Sequence, residues 1–101
     1  MHNNCLSWLY FRGDNSIINI VNINKSFSDQ NILNDISFKI NDGDAVAIIG
    51  KSGIGKSVLL KHLNGLIMPD SGHISVDGKI INKLKFSELE KMRSKISMVF
   101  Q

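Results

Sequence analysis

The 101-residue chain contains a single cysteine and no long apolar segment, and each of these scarcities excludes a class of structure. It also contains a single proline. Cys5 has no second cysteine with which to form an internal disulfide or a thiolate metal site, so the sequence favours a reducing compartment. The longest apolar run, residues 45–49, is far shorter than the roughly 20 residues that cross a bilayer. Residues 1–11 lack the basic start and long apolar core of a secretion signal, so export is not expected.

Charge is also not concentrated anywhere along the chain. The net charge is +3 and the pI is near 9.2, but lysine and arginine are scattered, which favours an ordinary solvated surface over a nucleic-acid or membrane-binding patch. Hydrophobic residues make up 43% and charged residues 21%, as in a globular chain rather than a disordered one. The length suffices for one small domain.

The clearest pattern lies in residues 45–60. An unbroken apolar run, typical of a strand covered on both faces, is followed by a Gly-rich turn and a helical segment. Residues 50–57 fit G-x-x-x-x-G-K-[ST], the phosphate-binding loop. Its glycines let successive N–H groups point at phosphate oxygens, and the helix start adds partial positive charge. Lys56 would reach the β- and γ-phosphates, and the Ser57 hydroxyl would ligate a bridging Mg²⁺.

The alternative is a Gly/Ser-rich turn that contains a lysine by chance. The four fixed positions recur by chance in on the order of a few in a thousand chains of this length. The apolar strand before the loop and the helix after it are the context that the motif requires. We therefore predict a phosphate site here.

Alternation and turn residues predict the β elements. We expect a loop over residues 24–34 and a two-residue hairpin turn at Asp77-Gly78, together with strands over residues 17–23, 36–40, 45–49 and 96–100. The apolar strand before the phosphate loop calls for parallel neighbours on both sides, whereas the chain offers one clear crossover helix. The sheet should therefore be incomplete, with an unpaired, aggregation-prone edge at residues 45–49.

Two helices are predicted after the loop. Leu59, Leu63 and Leu66 recur at helical spacing, and Ser87 with Glu90 is a capping box for a short helix through about residue 95. Residues 1–16 have no clear period. We interpret them as a flexible extension, the alternatives being a segment that docks on a partner or a start codon assigned too far upstream.

Several short motifs follow one another in order: Lys25-Ser26-Phe27, residues 32–38, Gly43-Asp44, residues 50–57, residues 66–72, and Met98-Val99-Phe100-Gln101. In this order they resemble the ATP-binding subunit of ABC transporters over residues 17–101. The resemblance implies an α/β P-loop NTPase fold, of which the chain holds the N-terminal portion: an antiparallel β subdomain and the start of the parallel core. Residues 55–62 and 97–101 are similar to the Mla-type branch, which moves phospholipid between bacterial membranes with MCE-domain partners. Most ABC ATPases have threonine where this chain has Val58.

The resemblance also implies roles for individual residues. Phe27 would stack on adenine; the alternative is a phenylalanine that only packs in the core. Gln101 would touch Mg²⁺; the alternative is an ordinary surface residue. Lys51 could contact phosphate or only solvent. His62 and His73 receive no chemistry, because neither has an acidic or cysteine partner at metal spacing. The nucleotide-binding set is Phe27, Gly50, Lys51, Ser52, Gly53, Ile54, Gly55, Lys56, Ser57 and Val58; the Mg²⁺ ligands are Ser57 and Gln101.

The hydrolytic half of the family pattern has no match in residues 1–101. An Asp and a Glu at the end of a later strand, a switch His and a Ser-Gly-Gly signature are all missing, so we assign no catalytic residue. The first hypothesis is the N-terminal part of an ABC ATPase, ended by truncation or a broken reading frame. Intact, such a subunit would bind ATP and Mg²⁺, pair with a second ATPase subunit and drive a membrane permease. It would lie on the inner face of the bacterial inner membrane.

Two other hypotheses remain. The chain could serve as a non-catalytic module that binds nucleotide or docks on a full-length subunit. It could also be another phosphate-loop enzyme such as a small kinase, which the Asp77-Gly78 hairpin and the region of Phe27 disfavour.

Overall fold

The computed structural model describes residues 5–12, 15–50 and 53–100 as a mixed α/β structure with two antiparallel sheets. Its helices are α1 (Gly53–Leu63) and α2 (Phe86–Arg93), with a 3-10 turn at Ile81–Lys83. Its strands are β1 (Cys5–Phe11), β2 (Ile17–Phe27), β3 (Gln30–Asn41), β4 (Ala45–Gly50), β5 (Ser71–Val76), β6 (Lys79–Ile80) and β7 (Ile96–Phe100).

The larger sheet has the strand order β3-β2-β5-β6. The loop predicted over residues 24–34 is wrong, because β2 and β3 continue through this region and join at a two-residue turn, Ser28-Asp29. Lys25 pairs with Leu33, and Phe27 pairs with Gln30. Residues 26–31 are all exposed, so their polar side chains do not oppose strand pairing. Backbone pairing thus prevails over a composition that is typical of loops.

The hairpin predicted at Asp77-Gly78 joins β5 to β6. Both residues have positive φ, 51° and 85°, as in the primed turns that match the twist of a two-stranded ribbon. The Asp77 carboxylate accepts a hydrogen bond from the Ile17 N–H at 2.9 Å. The turn is therefore tied to the start of the neighbouring strand β2.

Gly72 allows β5 to approach β2 closely. Its φ is 83°, and a Cβ built on it would overlap the carbonyl oxygens of Val21 and Asn22. Both the backbone conformation and the space at this position therefore require glycine.

The smaller sheet has the order β4-β1-β7, with β1 in the middle. β1 pairs antiparallel with β4 from Cys5 opposite Gly50 to Tyr10 opposite Ala45, and with β7 from Ser7 to Phe11. Because both outer strands run opposite to β1, β4 and β7 point in the same direction. The neighbour of the phosphate-loop strand is thus antiparallel rather than parallel, which corrects the sequence prediction.

Strand β1 lies inside residues 1–16, where the sequence predicted a flexible extension. Leu9 and Phe11 are buried, whereas Tyr10 between them is exposed, as expected of a strand with one covered face. Because residues 8–11 are all large and mainly apolar, the sequence does not show this alternation. Within the described residues β4 and β7 each retain one unpaired edge, so the sheet is incomplete, as predicted. A domain boundary at residue 17 stays a prediction.

Helix α1 packs its buried face into the core through Leu59 and Leu63. The predicted continuation of this stripe to Leu66 is wrong, because the helix ends at Leu63 and Leu66 is exposed. Gly65, with φ 72°, reverses the chain, and the Leu66 N–H donates to the Lys61 carbonyl at 2.9 Å. This is a typical glycine-dependent helix end.

Helix α2 begins before the predicted capping box of Ser87 and Glu90. Its first residue is Phe86, and the Glu88 carboxylate accepts the Lys85 N–H at 3.3 Å. The prediction had the right helix but placed its start too late. Together the two sheets and two helices bury one core, made of Leu9, Phe11, Ile18, Ile20, Ile23, Leu33, Ile40, Val58, Leu59, Leu63, Ile74, Ile81 and Met92.

Candidate functional site

The phosphate-loop motif lies where β4 passes into α1. The strand ends at Gly50 and the helix begins at Gly53, which confirms the predicted strand and helix on either side of the motif. The first N–H groups of a helix have no partners within it and carry partial positive charge. The first turn of α1 contains no acidic side chain, so no carboxylate of the helix competes for these groups. This end of α1 is therefore suited to an anion.

Lys56 and Ser57 are placed in the second turn of this helix. Lys56 is only 3% exposed, and lysine is rarely buried to this extent without a defined polar environment. Ser57 is half-buried. A Cβ at Gly55 would lie 3.7 Å from the Ile32 carbonyl oxygen, so β3 runs beside the start of the helix. The two side chains with assigned phosphate and Mg²⁺ chemistry thus occupy neighbouring positions on a packed element.

Val58 follows these residues but faces the core. Its side chain belongs to the buried cluster with Leu59 and Leu63, and its carbonyl accepts a hydrogen bond from His62 Nδ1 at 2.8 Å. A valine in place of the family's threonine is consistent with this apolar environment. The structure therefore gives the Val58 side chain a packing role.

Phe27 lies at the end of β2 and is 46% exposed, which excludes the plainer reading of a core phenylalanine. Lys25 Nζ lies 5.4 Å from the centre of its ring, and the same ammonium pairs with Asp70 at 3.2 Å. The Asp70 carboxylate also accepts the Ser26 N–H at 2.8 Å. That hydrogen bond, followed by the one from Lys25, lowers the pKa of Asp70. The aromatic ring is thus available for stacking beside a positioned cation.

Three predicted site residues, Lys51, Ser52 and Gln101, lie outside the described residues. The backbone of Gly53 and Ile54 is helical. In the ranges that the structure describes, no three His, Cys, Asp or Glu side chains form a metal-binding group. The Mg²⁺ expected here does not need such a group of protein side chains, because phosphate oxygens would supply ligands beside the Ser57 hydroxyl. Lys56 and Ser57 at the start of α1 fit a nucleotide with its metal.

One arrangement was not foreseen from the sequence. His62 and His73, to which the spacing assigned no role, line the same cavity at the far end of α1. Eleven positions separate them along the chain, a distance that no local motif bridges, so no sequence signal could have joined them.

Across the described ranges, no helix is both long and apolar enough to traverse a bilayer.

Comparison with known proteins places the site in a family. The chain is 48% identical over 86 residues to the phosphonates import ATP-binding protein PhnC of Treponema denticola. The aligned region covers 84% of this chain and 34% of that protein. It is 39% identical over 85 residues to the methionine import ATP-binding protein MetN of Rhizobium etli. This alignment covers 84% of this chain and 24% of the relative. It is 51% identical over 70 residues to the energy-coupling factor transporter ATP-binding protein EcfA2 of Ligilactobacillus salivarius. This alignment covers 68% of this chain and 24% of the relative.

The chain spans about a third or less of the length of these relatives. Residues 33–101, more than half of the chain, match the family model described as ABC transporter, and this region includes the phosphate-loop motif with the strand before it and the helix after it. The chain therefore belongs to the ABC transporter family, as part of its ATP-binding domain.

Proposed function

We propose that this chain binds ATP and Mg²⁺ at residues 50–57 as part of the ATP-binding subunit of an import system. The observation that carries the proposal is the start of α1. After the strand that ends at Gly50, the helix begins at Gly53 with no acidic residue in its first turn, and Lys56 of this helix is buried. Such a helix start binds phosphate through backbone N–H groups, and the lysine adds a full positive charge.

Each predicted residue then has a defined task. Lys56 would neutralise the β- and γ-phosphates, and the Ser57 hydroxyl would take one position on the Mg²⁺ between them. Phe27 would hold the adenine ring by stacking, which its exposure permits. Gln101 would approach the metal and the attacking water. Ser57 and Gln101 would hold a Mg²⁺ that would offset the phosphate charge.

The transported substrate is the finer part of the proposal. The relatives are named for import of phosphonates and methionine, so they favour import of a small solute. These names lend no support to phospholipid transport, which stays a prediction from residues 55–62 and 97–101. As partners we propose a second ATPase subunit and a membrane permease, with the subunit held at the inner face of the bacterial inner membrane.

The test is binding of Mg·ATP to the full chain, measured by calorimetry on a sample shown to be folded by circular dichroism. We expect saturable binding that weakens when Mg²⁺ is chelated. Lys56→Met removes the charge but keeps an apolar stem for the buried position, and it should weaken binding at least about tenfold. The matched control is Lys61→Met, which removes the same charge from an exposed position on the same helix.

Equal affinities of the two variants, or no uptake by the folded wild type at millimolar ATP, would refute the proposal. The same sample separates binding from hydrolysis. Because the sequence after the loop contains no Asp-Glu pair, we expect no turnover by this chain alone in a coupled ATPase assay. Turnover that Lys56→Met abolishes would instead show that the chain supplies its own catalytic groups.

A further inference from the structure

The last residues of β2, which lead to Phe27, receive only part of their support from strand pairing. The last residue of β2 that pairs with β5 is Asn24, opposite Ser71. On the other side, register shifts before and after Lys25 interrupt the pairing of β2 with β3. The regular hydrogen-bond ladder therefore does not by itself fix the end of β2.

Asp70, in the turn before β5, supplies the missing support. Its backbone N–H donates to the Asn24 carbonyl oxygen at 2.8 Å. Its carboxylate accepts the Ser26 N–H at 2.8 Å and pairs with Lys25 Nζ at 3.2 Å, and these contacts favour the ionised carboxylate. A lone exposed ion pair would fix little, but here one residue contacts three successive positions of the strand.

These contacts act directly on the surroundings of the Phe27 ring. The Lys25 ammonium that Asp70 holds lies over this ring, 5.4 Å from its centre. A cation over one face of an aromatic ring is attracted to the π electrons and leaves the opposite face for stacking. Because the ring is 46% exposed, it can still receive a flat ligand.

The hairpin that carries Phe27 lies beside the helix of the phosphate loop. Ile32 of β3 lies between the residues that pair with Ser26 and Lys25. Its carbonyl oxygen is 3.7 Å from a Cβ built on Gly55, in the first turn of α1. Asp70 therefore stabilises a strand end that lies next to the phosphate site.

We propose that Asp70 is a positioning residue for nucleotide binding, which holds Lys25 and the end of β2 so that the Phe27 ring is fixed for stacking on the base. The inference rests on the proposed function, because it concerns the same bound ATP. It adds that affinity for the base depends on a carboxylate outside the phosphate loop, whereas affinity for the phosphates does not.

The test compares Mg·ATP with Mg·tripolyphosphate, which carries the phosphates but no base, by calorimetry on the full chain shown to be folded by circular dichroism. Stacking of a base on an aromatic side chain should give the wild type at least about a fivefold preference for ATP. Asp70→Ala should abolish most of this preference and change tripolyphosphate affinity by less than about twofold. The matched control is Asp77→Ala, which removes a carboxylate that accepts the Ile17 N–H at the other end of β2 and should retain the preference.

A double-mutant cycle separates positioning of the ring from a general structural role. In the Phe27→Ala background, Asp70→Ala should cause no further loss of ATP preference, because the ring on which it acts is absent. A further loss in that background would overturn the inference. So would an unchanged preference in Asp70→Ala, an equal loss of affinity for both ligands, or the same loss of preference in Asp77→Ala.

Should Asp70→Ala fail to fold, Asp70→Asn keeps an acceptor for the Ser26 N–H but loses the ion pair with Lys25. It should lose part of the ATP preference, and an unchanged preference would overturn the inference equally. Wild type that binds tripolyphosphate and ATP with the same affinity would refute the inference alone and leave phosphate binding intact. Wild type that binds neither ligand would refute the proposed function, and the inference with it.

Discussion

Strand β1 should contribute a large share of the stability of this chain, and Phe11 is the residue that tests it. The Phe11 side chain is 1% exposed and belongs to the core, at the end of the central strand of the smaller sheet. Replacing a buried phenylalanine by alanine removes apolar contacts and leaves a cavity, which costs about 3–5 kcal/mol. A chain of this length has on the order of 5–15 kcal/mol of stability in total. Phe11→Ala should therefore remove about a fifth of it or more.

The matched control is Tyr10→Ala, in the same strand. Tyr10 is 42% exposed and points to the other face, so its loss should cost about 1 kcal/mol or less. Urea unfolding followed by circular dichroism and by fluorescence of Trp8, the only tryptophan, reports on the sheet directly. A Phe11→Ala variant within about 0.5 kcal/mol of Tyr10→Ala would refute a packed β1 and restore the flexible extension.

Two further predictions concern the larger sheet. Gly72→Ala should destabilise the chain in urea by at least about 2 kcal/mol more than Gly78→Ala, because both glycines have positive φ but only a Cβ at the former meets backbone; equal losses would contradict the close approach. Since hydrogen bonds from Ser26 and Lys25 lower the pKa of Asp70 in the folded state, the stabilisation they provide should be present above about pH 4 and disappear as the pH falls through the folded-state pKa. The stability difference between wild type and Asp70→Asn, measured by thermal melts from pH 7 to pH 2, should shrink on acidification, and a constant difference would contradict this.

The phosphate loop could be predicted because its chemistry is local. Gly50, Gly55, Lys56 and Ser57 fall within eight consecutive positions, and the strand and helix that position them are adjacent in sequence. The Asp77-Gly78 turn is equally local, since positive φ at two successive residues is a property of those residues. In both cases residue type and spacing already contain the physical requirement.

Pairing between distant segments was not predictable in the same way. Residues 26–31 look like a loop by composition, yet they form the exposed end of a β hairpin because β2 and β3 are paired along their length. His62 of α1 and His73 of β5 line one cavity, and only the tertiary structure brings these two elements to it.

By itself the sequence therefore determined the strand and helix around the phosphate-loop motif, the family pattern and most of the strands, since these depend on residues that are neighbours along the chain. Only the tertiary structure decided that β1 lies between β4 and β7, that Val58 faces the core, and that a cavity opens beside His62. The physical reason is that burial and strand pairing are properties of which segments meet. An apolar strand such as β4 accepts a parallel or an antiparallel neighbour, and its own residues do not choose between them.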